Sequence, residues 1–159
     1  MVLSQSFNTA ESDRMGQELL VELDKYPCDI GKCLALIESG ANTGAKNAKG
    51  ETALFCSYPT VITALIKKGA DTDTRNSTRE TALMNAAFWG ITPCVKALLD
   101  GGANPLEKNS AGQTALALAK SHQKYGDNAT VELLEGAERR WKTAQPQPAL
   151  KPAVPELHC

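Results

Sequence analysis

Few side chains in this sequence are equipped for chemistry. The candidate nucleophiles and soft ligands are Cys28, Cys33, Cys56, Cys94 and Cys159, and the only imidazoles available to activate them are His122 and His158. A catalytic thiol needs a base or positive charge beside it to hold the thiolate. A zinc site needs thiols and imidazoles clustered at short, regular spacing. An odd number of cysteines with no C-x-x-C pair supplies neither pattern, and it is also not the framework of a disulfide-bonded domain. Small packing residues in a reducing cytosol account for them better. No G-x-S-x-G, phosphate-cradling glycine loop or H-E-x-x-H occurs. The sequence therefore reads as non-enzymatic, without cofactor or metal.

Charge and hydropathy narrow the remaining functions. A formal charge of −1 without a basic stripe gives no footprint for nucleic acid. No apolar run approaches the roughly 18 residues of a membrane span. The opening MVLSQSFNTAESD lacks the basic and then apolar regions of a secretory signal. A cytoplasmic protein with no membrane partner is the expectation. Among the remaining large side chains, Phe88 and Trp89 stand out as an adjacent aromatic pair.

The elements that must position those residues come from a repeat. Gly50-Glu51-Thr52-Ala53-Leu54, Arg79-Glu80-Thr81-Ala82-Leu83 and Gly112-Gln113-Thr114-Ala115-Leu116 open successive units, and Gly40-Ala41-Asn42, Gly69-Ala70-Asp71 and Gly102-Ala103-Asn104 close them. Both landmarks advance by 29 and then 33 residues, so they belong to one repeating structure. A period of this size signals a solenoid. The expected organisation is an N-terminal segment, 1–12, a repeat domain, 13–142, divided at 13–40, 41–69, 70–102 and 103–142, and a proline-rich flexible tail, 143–159.

Each unit predicts a pair of helices. Asn8 and Glu11 form a capping-box-like start to a helix bearing Met15, Leu19, Leu20 and Leu23 along one side, with Gln17, Glu18, Glu22 and Asp24 as a polar outer face. Asp29 caps a second helix carrying Cys33, Leu36 and Ile37. The second unit is four residues short around Phe55 to Pro59, about one helical turn, so its first helix should be a stub that leaves a step. In the third unit Thr81 caps, Leu83, Ala86 and Ala87 face inward, Gly90 ends the helix and Thr92-Pro93 starts the next one, with Val95, Leu98 and Leu99 buried. Asn128 is placed to cap a last helix in which Leu134, Ala137 and Trp141 share a side.

The pattern T-A-L-x-x-A-A-x-x-G-x-x-x-x-V-x-x-L-L-x-x-G-A-N of Thr81 to Asn104 closely resembles the ankyrin repeat, and the resemblance extends over residues 13 to 136. It implies an all-α solenoid of stacked helix-turn-helix units with hairpin-like loops. It departs from the family in reading TALF, TALM and TALA where T-P-L-H is typical, so the histidine bridge between loops is missing while the threonines are present as caps. Arg79 also replaces the loop glycine seen at Gly50 and Gly112.

The resemblance further implies a monomeric protein-binding module that meets its partner on the loop tips and on the concave side of the first helices. It is then an adaptor, scaffold or inhibitor, or alternatively a structural subunit or host-directed effector. The implied partner-facing positions are Arg75, Ser77, Thr78, Glu80, Phe88 and Trp89 in the third unit, with Lys46, Ala48, Lys49 and Glu51 in the second. In the fourth they are Lys108, Ser110, Ala111, Gln113, Ser121 and His122. Phe88 and Trp89 admit two readings at this stage. They anchor a partner, or one or both rings fill the step left by the short helix. The charged loop residues Lys46, Lys49, Arg75, Arg79 and Lys108 are interleaved with acids and read as a solvated surface.

Overall fold

The computed structural model describes residues 9–122 and 128–144. Within them the chain forms α1 (Thr9–Leu23), α2 (Ile30–Glu38), a single 3-10 turn (Ala53–Phe55), α3 (Pro59–Lys67), α4 (Ala82–Phe88), α5 (Thr92–Asp100), α6 (Ala115–Ser121) and α7 (Asn128–Ala144). Asn8, residues 123–127 and residues 145–159, with His158 and Cys159, lie outside the described residues.

The contacts arrange these elements in two rows. One row runs α1, the 3-10 turn, α4 and α6, and the other runs α2, α3, α5 and α7, with each first helix paired to its own second helix. The rows are joined by a core that passes along the stack. Leu19, Cys33 and Ile37 lead to Leu54, Val61, Ile62 and Leu65, then to Leu83, Met84, Val95 and Leu98, and finally to Leu118 and Leu134. Each such aliphatic side chain contributes about 1.5–3 kcal/mol when fully buried. The alanines Ala53, Ala82, Ala86, Ala87, Ala115 and Ala119 are all buried in the first row. They keep those elements thin, which lets successive repeats approach closely.

Local chemistry sets the boundaries. Asp29 accepts a hydrogen bond from the Lys32 amide at 3.0 Å and so caps α2. Thr81 accepts from Met84 N and Thr114 from Ala117 N, both at 3.3 Å, each satisfying an amide that the first turn leaves without an intrahelical acceptor. Helix α5 ends at Gly102, φ +91°, where the Ala103 amide reaches back to the Leu98 carbonyl at 3.0 Å. That left-handed residue and long back-bond form a Schellman ending, and it turns the chain into the next loop.

The four missing residues of the second unit reduce its first helix to the three residues of the 3-10 turn, as their position predicts. One expectation fails there. Thr52 does not cap: its hydroxyl makes no hydrogen bond among the described residues, although it is only 3% exposed. With so short an element, the Thr52 carbonyl takes the Phe55 amide at 3.0 Å, and the turn offers no N3 amide aligned for the hydroxyl.

Glu22 is a second correction, since it is buried rather than part of a polar outer face. Lys25 lies 2.8 Å away and Lys32 of α2 3.1 Å away, and Lys32 also reaches Glu18 at 3.3 Å. Hydrogen bonds from Lys25 and Lys32 hold its carboxyl below the usual glutamate range. The first repeat is therefore tied together by a shared charge cluster between its two helices. At the other end Lys120 of α6 meets Glu135 of α7 at 2.7 Å and lowers the Glu135 pKa in the same way.

Candidate functional site

The loops that lead into the first elements of the second, third and fourth repeats are each built by one asparagine. Asn47 Oδ1 accepts from the amides of Lys49 and Glu51 at 2.9 and 3.0 Å. Asn76 does the same with Thr78 and Glu80 at 3.0 and 2.9 Å, and Asn109 with Ala111 and Gln113 at 3.0 Å each. The backbone N–H of each asparagine also donates to the carbonyl of the residue four positions on, which closes a tight hairpin tip. The third residue after each asparagine, Gly50, Arg79 or Gly112, has positive φ of 75°, 62° and 75° respectively. Arg79 thus stands in the left-handed region as the loop glycines do. These three asparagines were not among the sequence-derived candidates, although they recur at the same offsets as the other landmarks and that recurrence was the available signal.

A second asparagine or aspartate turn follows each closing glycine-alanine pair. Asn42 Oδ1 accepts from Gly44 N, Asp71 from Asp73 N and Asn104 from Leu106 N, at 2.9, 2.9 and 3.0 Å. Short polar side chains bond their own backbone two residues on in this way, which explains why each unit closes on Asn or Asp.

Neighbouring loops are bridged through the backbone in place of the absent histidine. Ser77 N donates to Lys49 O at 3.1 Å, and Ser110 N donates to Thr78 O at 3.3 Å. The Asp73 carboxylate accepts from Asn104 N at 2.9 Å, and Arg75 pairs with Glu107. Ser77, Thr78 and Lys108 are exposed at these tips, while Arg75, Glu80 and Gln113 are partly covered. Glu80 is held by Asn76 and Thr78, so its carboxylate helps to shape the turn.

The aromatic pair divides its work. Phe88 is half-buried against His122 of the fourth repeat, with ring centroids 3.7 Å apart and planes at 43°. It leans away from the step, whose open end is met instead by Asn85, donating to the Phe55 carbonyl at 3.2 Å. Trp89 is 68% exposed and touches Phe88 edge-on at 5.2 Å. The expectation that a ring fills the step is therefore corrected, because one ring is held by the next repeat and the other faces solvent.

Three thiols, Cys33, Cys56 and Cys94, are held protonated. Burial pushes Cys33 and Cys56 up to about 12 and Cys94 up to about 11, far from the depressed values of reactive cysteines. Among the described residues no group of three His, Cys, Asp or Glu side chains is placed to hold a metal ion. Nor is any described helix long and apolar enough to cross a membrane.

Stacked helix pairs, backbone-bridged hairpin tips and one exposed tryptophan on the first-helix row define a helical repeat module built to present a surface. The family model described as ankyrin repeats (3 copies) matches residues 24–104 and 57–139, so the chain belongs to the ankyrin repeat family. Ankyrin repeats are generally protein–protein interaction modules and typically non-enzymatic. A comparison with curated proteins finds no match.

Proposed function

We propose that this protein is a small cytoplasmic adaptor, scaffold or inhibitor that binds another protein as a monomer through the first-helix row and the loop tips. The observation that carries the reading is Trp89. A large ring 68% exposed, braced edge-on by Phe88, which is itself held by His122, is an anchor already ordered before a partner arrives. Exposed tryptophans held in one orientation lose little entropy on binding and are frequent hot spots. Arg75, Ser77, Thr78, Glu80, Lys108 and Gln113 lie on or beside the tips that would frame such a contact. The bridges between tips keep them in register.

The test is capture of partners from a lysate of the source cell by the full chain and by Trp89→Ala and Phe88→Ala variants, with folding checked by circular dichroism. Trp89→Ala should stay folded and lose its partner. Truncating a hot spot typically costs about 2 kcal/mol or more, roughly thirtyfold in affinity. A folded Trp89→Ala protein that retains every partner would remove Trp89 from the interface.

A further inference from the structure

The step in the second repeat opens a cleft of about 100 Å³ between the C-terminal end of α1, the hairpin tip of residues 47–51 and the 3-10 turn. Its walls combine two kinds of surface. Leu20, Leu23 and Phe55 supply apolar contact, while Asp24 and Glu51 bring carboxylates. Neither acid makes an ion pair among the described residues, and Glu51 is oriented by a 2.9 Å hydrogen bond from Asn47 Nδ2. Thr52 and Ala53 form the floor between these two walls.

Volume and chemistry together select the occupant. Small-molecule pockets usually start at about 300 Å³, so this cleft suits one long side chain. Apolar walls with two carboxylates match an aliphatic stem ending in a planar, many-donor cation. Guanidinium presents five N–H donors in a fork that fits carboxylates. We infer that the cleft is a specificity pocket for an arginine side chain of the protein partner. Its existence follows from the deleted helical turn, since a full first helix would extend the wall past Phe55. The inference rests on the protein-binding reading above, yet it concerns a separate place on the surface from Trp89.

The experiment titrates the full-length protein with N-acetyl-arginine methylamide and follows backbone amides by two-dimensional NMR. Saturable shifts are expected at Glu51, Thr52 and Ala53. N-acetyl-citrulline methylamide, of the same shape without the charge, should bind at least fivefold more weakly. The Asp24→Asn/Glu51→Gln double variant, which keeps side-chain size, should lose at least the same factor for the arginine probe, and its otherwise unchanged spectrum would show that it folds. Absent or non-saturating shifts at those amides, equal binding of citrulline, or an undiminished response in the double variant would each overturn the inference. None of these outcomes bears on Trp89, so the pocket and the anchoring role can fail separately.

Discussion

Arg79→Gly should stabilise the protein, against the rule that glycine weakens an ordered chain. Arg79 holds φ at +62°, between two equivalent positions where glycine adopts +75°. A residue with a Cβ carries a strain of roughly 1–2 kcal/mol in this region. Among the described residues no hydrogen bond or ion pair of the Arg79 side chain offsets it, and the backbone bond from its amide to Asn76 O at 3.0 Å survives the change. The extra freedom of glycine in the unfolded chain takes back about 0.4–1 kcal/mol. The net gain is then roughly 0.5–1 kcal/mol, or about 1–4 °C in melting temperature for a chain of this size. Urea unfolding and thermal melts of three variants give the full test. Gly112→Arg should lose a similar amount, because a Cβ there meets nothing within 4 Å and only the backbone strain is added. Gly50→Arg should lose more, since its Cβ would lie 3.2 Å from the Ser77 amide nitrogen in the next loop. A neutral or destabilising Arg79→Gly, or equal losses at Gly50 and Gly112, would refute the reasoning.

Three other outcomes follow from particular contacts. Gly16→Ala, which in most helices stabilises, should here destabilise by about 1 kcal/mol or more through overpacking. Its Cβ would come 2.7 Å from the Asn42 carbonyl oxygen and 2.9 Å from Ala45 Cβ, and a rise in the urea midpoint would contradict that close approach. Asn85→Ala removes the bond to Phe55 O and should cost about 1 kcal/mol, with faster hydrogen exchange around residues 53–56; unchanged exchange there would show that Asn85 does not secure the 3-10 turn. Glu22 has its pKa lowered in the folded protein by Lys25 and Lys32. Its stabilisation is complete above the unfolded value of about 4.3 and is lost as pH falls through the lower folded value. Glu22→Gln should therefore flatten the fall in stability below about pH 4, and parallel urea profiles from pH 2 to 7 would contradict the pairing.

How much was legible in the sequence depended on the range of each interaction. Thr81, Thr114 and Asp29 act within three residues of themselves, so their caps were readable from spacing. The short first helix of the second repeat and the left-handed Arg79 were readable by comparison with sister units, which supply a template for the missing turn and the glycine. Glu22 was misread because the lysine that covers it, Lys32, arrives from the next helix. Phe88 was misplaced for the same reason, its partner His122 being one repeat away. Thr52 failed as a cap because loss of the turn changed the backbone pattern itself, from an α-helical start to a 3-10 turn. The asparagine of each hairpin tip was overlooked even though it acts locally, since an asparagine in a polar loop carries no distinguishing composition until the three copies are aligned.

The central claim is that the protein meets its partner on the first-helix row around Trp89. Site-specific photo-crosslinking tests it most directly, with a benzoylphenylalanine placed at position 89 in one variant and at the exposed Lys96 of α5, on the opposite row, in another. Illumination in the source-cell lysate should give a discrete covalent adduct from position 89 and none from position 96. An adduct from position 96 with none from 89 would contradict the account.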